Sequence, residues 1–325
     1  MYLIPAIAVM IGVSLLDERQ GRRLAGVIFV VGCLLMLATL FVGDEVKGAR
    51  RWLTIAGVNI QPSEFVKPAF VVLVAWLFAE RIRRPEMPGN VLAFGLLFIF
   101  VGLLVPQPDF GQTMLATLVW GALFFAAGLS WLWIACLAGM AALGMVGAYF
   151  SLSHVQDRIN AFLNPDGGGN TYQVDRSIDA FINGGWLGRG PGEGIVKQNL
   201  PDSHADFVFA VAGEEFGAVA CMLLVLLFAF IALRGIGHAS RSSDAYPRLA
   251  ITGLIVLFGL QSVINMAVNL SLMPAKGMTL PFISYGGSSI ISLAYAMGMV
   301  LGLSRRRPQS RPVVRDLVPG AGQTA

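Results

Sequence analysis

Nine long apolar stretches, broken once by a long polar segment, leave this chain few ways to fold. They run at about 1–16, 24–43, 64–80, 90–106, 112–128, 131–150, 207–233, 249–272 and 285–304, and the polar segment occupies about 151–206. Most are near the roughly 20 residues that cross a bilayer as a helix. None alternates with period two, so they predict helices rather than barrel strands. Of the 325 residues, 56% are hydrophobic and 13% charged, against roughly twice that charged fraction in soluble domains. Mean hydropathy is +0.70. The expected fold is an all-α polytopic membrane protein, one integral domain over 1–325, with no internal repeat. No cleavable signal peptide is evident in Met1 to Leu16. Cys33, Cys136 and Cys221 sit far apart in apolar runs and predict no disulfide set or metal site. The pI of ≈ 9.1 does not imply nucleic acid, because the excess Lys and Arg lie in short loops.

Loop charge sets an orientation. The loops with Arg19, Arg22 and Arg23, with Arg81, Arg83 and Arg84, and with Arg234, Arg241 and Arg248, together with the tail 305–325, are expected in the cytoplasm. The loops at 44–63, 107–111, 151–206 and 273–284 are then outside. Threaded this way, Met1 lies outside, and one upstream span is expected to be missing from the chain.

The outer segment ends in Leu200-Pro201-Asp202-Ser203-His204-Ala205-Asp206, with Asp206 at the edge of an apolar run. A carboxylate delivered to a membrane boundary by a long loop is a candidate for chemistry. Short helices are expected at 159–165 and 172–181, the second closed by Asn183-Gly184-Gly185. The run Gly188 to Gly194 lacks the Lys-Ser/Thr ending and preceding strand of a phosphate loop. Its glycines predict tight turns over the membrane surface. Glu214 and Glu215 fall two to three turns into the seventh span, where one of them should meet a cation or a backbone group of a neighbouring helix.

Other polar groups sit on the outer side. Lys47, Arg50 and Arg51 break the charge rule; they make either a local ion-pair cluster with Asp44 and Glu45 or an anion site. Trp52 reads as an interfacial anchor. Glu64 and Lys67 share a helix face and should pair, structurally or lining a polar cavity. Asp109 is expected to cap the next helix. Gln261, Asn265 and Asn269 form a stripe typical of interhelical hydrogen bonding. The stretch from Met273 to Ser289 breaks the helix with Pro and Gly, which is tolerated only against protein or a cavity; it carries another cation, Lys276.

Six motifs together resemble the SEDS family (shape, elongation, division and sporulation). They are Lys47-Gly48-Ala49-Arg50-Arg51-Trp52, Gln61-Pro62-Ser63-Glu64-Phe65-Val66-Lys67, Gln107-Pro108-Asp109-Phe110-Gly111, Leu200-Pro201 with His204-Ala205-Asp206-Phe207, Gly213-Glu214-Glu215-Phe216-Gly217, and Leu280-Pro281-Phe282-Ile283-Ser284-Tyr285-Gly286-Gly287-Ser288-Ser289. Pro274-Ala275-Lys276-Gly277 is similar to the cell-division branch rather than the elongation branch. Departures are Ala205, where the family commonly has Thr, and Gln198, where some division members have Glu.

The resemblance implies a helical bundle of ten membrane helices, against nine counted here, with one large extracytoplasmic loop. It implies peptidoglycan glycosyl transfer on lipid II, an undecaprenyl-pyrophosphate disaccharide-pentapeptide, in the bacterial inner membrane at the division septum. The growing glycan would be donor and a lipid II 4-hydroxyl the acceptor. The implied partners are a class B penicillin-binding protein transpeptidase and other divisome membrane proteins, with no nucleic acid. A sugar hydroxyl needs a base in the transition state, and Asp206 is the candidate. The leaving pyrophosphate needs cations, for which Arg50, Arg51, Lys67 and Lys276 are candidates. Gln61, Glu64, His204 and Ser284 complete the expected substrate-binding set. A divalent cation, Mg or Mn, is compatible with the cationic role, but no ligand cluster calls for one. Two other classes compete with this reading, a lipid II flippase and a non-catalytic divisome scaffold. The outer-face clustering of charge argues against the first, and the boundary Asp with four cations against the second.

Overall fold

The computed structural model describes residues 2–46, 49–55, 57–128, 131–151, 155–156, 159–160, 172–274 and 277–305. The apolar spans become helices α1 (Leu3–Ser14), α2 (Glu18–Val42), α3 (Pro62–Arg83), α4 (Gly89–Leu104), α5 (Phe110–Ala126) and α6 (Trp131–Ser151). A loop helix α7 (Tyr172–Gly184) and a single 3-10 turn (Val196–Asn199) follow. The chain then forms α8 (Val208–Ala239), α9 (Ala245–Asn269) and α10 (Gly287–Ser304). Helices α2, α8, α9 and α10 are long and apolar enough to cross a membrane, and α1, α4 and α5 are shorter apolar helices. The chain is a multi-pass membrane protein.

The expected short helix at 159–165, Lys47, Lys276 and the tail beyond Arg305 lie wholly or mostly outside the described residues.

One element departs from an all-helical reading. The segment 44–63, expected as an outer loop, holds a three-stranded antiparallel sheet in the order β1 (Asp44–Val46), β2 (Ala49–Ile55), β3 (Val58–Ile60). Leu53 pairs with Ile60 and Ile55 with Val58, around Gly57 at φ +79°. The left-handed conformation of the turn suits glycine. Arg50-Arg51-Trp52 reads as charge in sequence but lies within β2. The ion-pair reading for Asp44 and Glu45 concerns side chains outside the described set.

Helix α3 is the axis of the bundle. It packs against α2, α4, α5, α9 and α10, while α1 packs on α10, and α8 on both α7 and α9. Its side chains are buried nearly all round, from Pro62 to Ala79. An all-round buried helix has no polar stripe to orient it. Membrane helices also gain little from apolar burial against each other, so close approach and polar contacts fix the arrangement. Gly32 of α2 supplies close approach: a Cβ there would meet Val66 Cγ2 at 2.4 Å.

Pro68 sits inside α3. It has no N–H, so the Glu64 carbonyl four residues earlier loses its helical donor. Ser292 Oγ on α10 donates to that carbonyl at 2.6 Å. A proline in one helix is thus matched by a serine on its neighbour.

Helix α8 is broken at Gly217, which has φ +80° and ψ 176°. Glu214 and Glu215 therefore sit at the end of a short leading helix, not deep in a continuous span. The carbonyls freed at the break accept from Arg189 N–H and Gly190 N–H, both at 3.0 Å, and Ala218 N–H donates to Gly185 O at 2.9 Å. A Cβ on Gly217 would fall 2.4 Å from Trp186 O. The turn segment from Gly185 to Gly190, which leads into the glycine-rich stretch expected to turn over the membrane surface, repairs this break.

Candidate active site at the outer face

Asp206 is the last residue but one before α8 and is half-buried. The turn that delivers it closes on Asp202, whose carbonyl accepts from the N–H groups of Ala205 and Asp206, both at 3.0 Å. Asp202 adopts φ +55°, a conformation that Asp tolerates better than most side chains. Two amides of α9 then hold the Asp206 main chain: Asn265 Nδ2 donates to Asp206 O at 2.8 Å and Asn269 Nδ2 to the same oxygen at 2.9 Å. Asn269 Oδ1 also accepts from Ala210 N–H at 3.1 Å, and its carbonyl from Ser177 Oγ of α7 at 2.7 Å. The polar stripe expected to join helices joins α9 to the Asp206 turn, to the start of α8 and to α7.

The second wall is the broken stretch before α10. Asn265 Nδ2 also reaches Met278 O at 2.6 Å, and Gln261 Nε2 reaches Thr279 O at 3.1 Å. Gly277 passes so close that a Cβ there would lie 3.2 Å from Asp206 Oδ2. Ser284 Oγ donates to Ala205 O at 2.5 Å and accepts from Leu280 N–H at 2.7 Å, and Tyr285 N–H donates to His204 O at 2.8 Å. Beside Asp206 these two segments leave a cleft of ≈ 340 Å³ lined by His204, Val208, Ile283 and Tyr285. Exposed His204 and Tyr285 frame an otherwise apolar slot.

A buried ionic network is joined to the Thr279 segment through Gln261. Lys67 Nζ is 2.9 Å from Glu64 Oε1, with relative exposures of 2% and 5%. Gln112 Nε2 donates to the same carboxylate oxygen at 2.9 Å, and Lys67 reaches Gln261 Oε1 at 3.5 Å. The pairing expected from the i, i+3 spacing is present, and Gln261 connects it to Thr279 and the cleft wall. Sequence reasoning missed Gln112. Its only signal was a polar side chain at the very start of an apolar span.

Arg51 is committed elsewhere. Its guanidinium donates to Gln107 O at 2.9 Å and Pro108 O at 2.5 Å, and lies 3.6 Å from Asp109 Oδ2. It braces the 107–109 turn, where Asp109 caps α5 by accepting from Gln112 N–H. Burial pushes the Asp109 carboxyl above its ordinary value; Arg51 and the Gln112 amide work in the opposite direction. Arg50 is exposed on β2. Gln61 precedes α3, and its N–H donates to Ser288 Oγ at 3.2 Å.

Glu214 is the acceptor of a second clamp. Its carboxylate takes the N–H groups of Ile195 (2.8 Å), Val196 (2.8 Å) and Lys197 (2.9 Å) and the amide of Asn183 (2.8 Å). Lys197 pairs with Glu215. One of the two carboxylates thus meets a cation, as expected, while Glu214 takes loop backbone and the Asn183 amide of α7; together they anchor the segment that runs into Leu200 and the Asp206 turn. Among the described residues, no three His, Cys, Asp or Glu side chains are grouped to hold a metal ion.

Of the expected site residues, His204 lines the cleft, while Asp206 and the buried Ser284 lie on the two segments that wall it. Glu64 and Lys67 lie in the buried network, and Arg51 lies in the adjoining 107–109 brace.

The comparisons agree with this architecture. Residues 1–309 match the family model described as "Cell cycle protein", which covers FtsW, RodA and SpoVE. The chain is 48% identical over 295 residues to a "Probable peptidoglycan glycosyltransferase FtsW" of Caulobacter vibrioides (strain NA1000 / CB15N), covering 91% of this chain and 75% of that protein. It is 37% identical over 316 residues to the protein of the same name from Geobacter metallireducens (strain ATCC 53774 / DSM 7210 / GS-15), covering 94% and 83%. A solved structure described as "Structural coordination of polymerization and crosslinking by a peptidoglycan synthase complex" superposes with TM-score 0.80 at 28% identity, covering 95% of this chain and 88% of that one. The crystal structure of Thermus thermophilus rod shape determining protein RodA gives TM-score 0.66 at 26% identity, covering 93% and 86%. With its motifs in family order and that match running through almost its whole length, the chain belongs to the FtsW/RodA/SpoVE family of SEDS membrane proteins.

Proposed function

We propose that this chain is a peptidoglycan glycosyltransferase that polymerises lipid II into glycan strands during septal wall synthesis, with Asp206 as general base. The observation that carries the assignment is the fixing of Asp206: its carbonyl is held by two amides while its carboxylate faces Gly277 beside the cleft. A base must stand at a set distance from the hydroxyl it deprotonates, and a clamped main chain provides that.

The acceptor 4-hydroxyl gives its proton to Asp206 as its oxygen attacks the anomeric carbon of the donor. The bond to the pyrophosphate breaks, and undecaprenyl pyrophosphate leaves. Arg50, exposed on the outer sheet, and Lys276 are the cations for the departing charge. The buried Lys67 is already neutralised by Glu64, so its part is to hold α3 against the cleft wall through Gln261. The apolar slot beside His204 and Tyr285 takes a lipid-proximal part of the substrate.

The protein works in the inner membrane at the division septum, with its C-terminus in the cytoplasm. Its partners are a class B penicillin-binding protein transpeptidase and other divisome membrane proteins. The homologous synthase complex supports the transpeptidase pairing.

The test is polymerisation of labelled lipid II by purified protein with its class B partner. Asp206→Asn should abolish chain growth while leaving the unfolding temperature and partner binding unchanged. Chain growth equal to wild type would remove Asp206 from the mechanism. Lipid II translocation in vesicles without polymerisation by wild type would favour a flippase.

A further inference from the structure

The opposite, arginine-rich face carries a second built cleft. The ends of α3 and α5 and the start of α4 enclose ≈ 280 Å³ lined by Phe78, Arg81, Ile82, Pro85, Asn90 and Ala127. Gly89 makes it possible: a Cβ there would meet Leu77 O at 2.5 Å and Arg81 Cβ at 2.9 Å, so only glycine lets α4 start this close to α3.

Two polar groups in this cleft await a ligand. Asn90 Oδ1 is buried with no hydrogen-bond partner, and an unmet buried acceptor is unfavourable. Arg81 is half-buried. Its neighbours are neutralised, Arg83 by Asp244 at 2.9 Å and Arg84 by Glu80 at 3.4 Å. Among the described residues no carboxylate pairs with Arg81. The cleft therefore offers one uncompensated guanidinium fork, one acceptor and an apolar wall of Phe78, Ile82, Pro85 and Ala127.

We propose that this cleft binds the head of a phosphatidylglycerol-type lipid, with its phosphate on Arg81 and a glycerol hydroxyl donating to Asn90 Oδ1. The chemistry selects that head. A single phosphate charge balances the single free cation. The acceptor needs a donor, which a hydroxyl supplies. Phosphatidylethanolamine would bring a second cation next to Arg81 with no carboxylate to receive it. Inorganic phosphate would leave the apolar wall unused. The ends of membrane helices, where this cleft opens, are where lipid heads are found. The inference is independent of the catalytic assignment, since it is read by lipid retention and not by activity.

The experiment is native mass spectrometry of the full chain released from nanodiscs of equimolar phosphatidylglycerol and phosphatidylethanolamine. Wild type should retain phosphatidylglycerol selectively. Arg81→Gln and Asn90→Ala should each lower that retention by about fivefold or more, and Arg83→Gln should leave it unchanged. Arg81→Lys, which keeps the charge without the fork, should retain an intermediate amount. Equal retention of both lipids, retention insensitive to Arg81→Gln and Asn90→Ala, or displacement by inorganic phosphate would each overturn the proposal.

Discussion

Ser292 Oγ on α10 donates at 2.6 Å to the main-chain carbonyl of Glu64, the carbonyl that Pro68 leaves without its helical donor. The contact is buried and ties the first turn of α3 to α10. Ser292→Ala should destabilise the protein by about 1–3 kcal/mol, the range for an unsatisfied buried polar group. Pro68→Ala in that background restores an N–H at position 68 and should recover part of the loss. Thermal unfolding of the two single variants and the double variant in detergent checks the coupling; strict additivity would show that the two residues do not compensate each other.

The Glu64–Lys67 pair, at 2.9 Å and nearly fully buried, behaves differently when one or both partners change. Glu64→Leu strands an ammonium in the bundle and should cost about 3–5 kcal/mol. Glu64→Leu with Lys67→Met should regain most of that stability. Polymerisation should stay low in the double variant, because the link through Gln261 to Thr279 and the cleft wall is gone. Unfolding curves and lipid II polymerisation, measured in parallel, separate the two effects; full activity in the double variant would reduce the pair to a packing element.

Asp109 gives a pH dependence with a definite sign. Its folded value lies above the ordinary 3.8 because burial outweighs Arg51 and the helix amide. Between 3.8 and the folded value the native state binds more protons than the unfolded chain, so this group lowers stability as pH rises through that window. Asp109→Asn keeps a capping side chain and should flatten that part of the stability–pH curve. Arg51→Gln removes the opposing cation and should steepen it or shift it to higher pH. Denaturation across mildly acidic pH reads both slopes; identical curves for wild type and Asp109→Asn would refute the assignment.

Asn265 holds two backbone carbonyls, Asp206 O and Met278 O, one on each side of the cleft. On the proposal that Asp206 is the base, Asn265→Ala should lower polymerisation more than tenfold by releasing its main chain, since misplacement near 1 Å is worth about 10²-fold. The apparent affinity for lipid II should change little. The unfolding temperature should fall by no more than a few degrees, since the other amide, Asn269, still holds the Asp206 carbonyl. Chain growth equal to wild type would show that this amide does not position Asp206.

Much of the architecture was legible in the residues. The apolar spans became helices at close to the expected positions, because span length and the need to satisfy every backbone group in lipid leave helices as the solution. The 172–181 helix appeared as Tyr172–Gly184, closed where the Asn-Gly-Gly signal stands. The Glu64–Lys67 pairing followed from helical spacing. The sheet at 44–60 was not legible, because its short strands carry charge and are set by pairing with one another. Nor was the break in α8: Gly217 looks like any glycine in an apolar run until the 185–190 turn segment is seen to fill the gap it opens.

The sequence by itself determined the helical membrane bundle, the long polar segment that interrupts it and the presence of a carboxylate, Asp206, at the edge of an apolar helix. These depend on hydropathy and local spacing, which are properties of contiguous residues. Only the tertiary structure decided which charges are available. It gave Lys67 to Glu64 and Arg51 to two carbonyls, and it placed Asn265 and Asn269 on the Asp206 main chain. The physical reason is that a buried donor or ion is assigned by whichever partner packing brings within about 3 Å, and those partners are far apart along the chain.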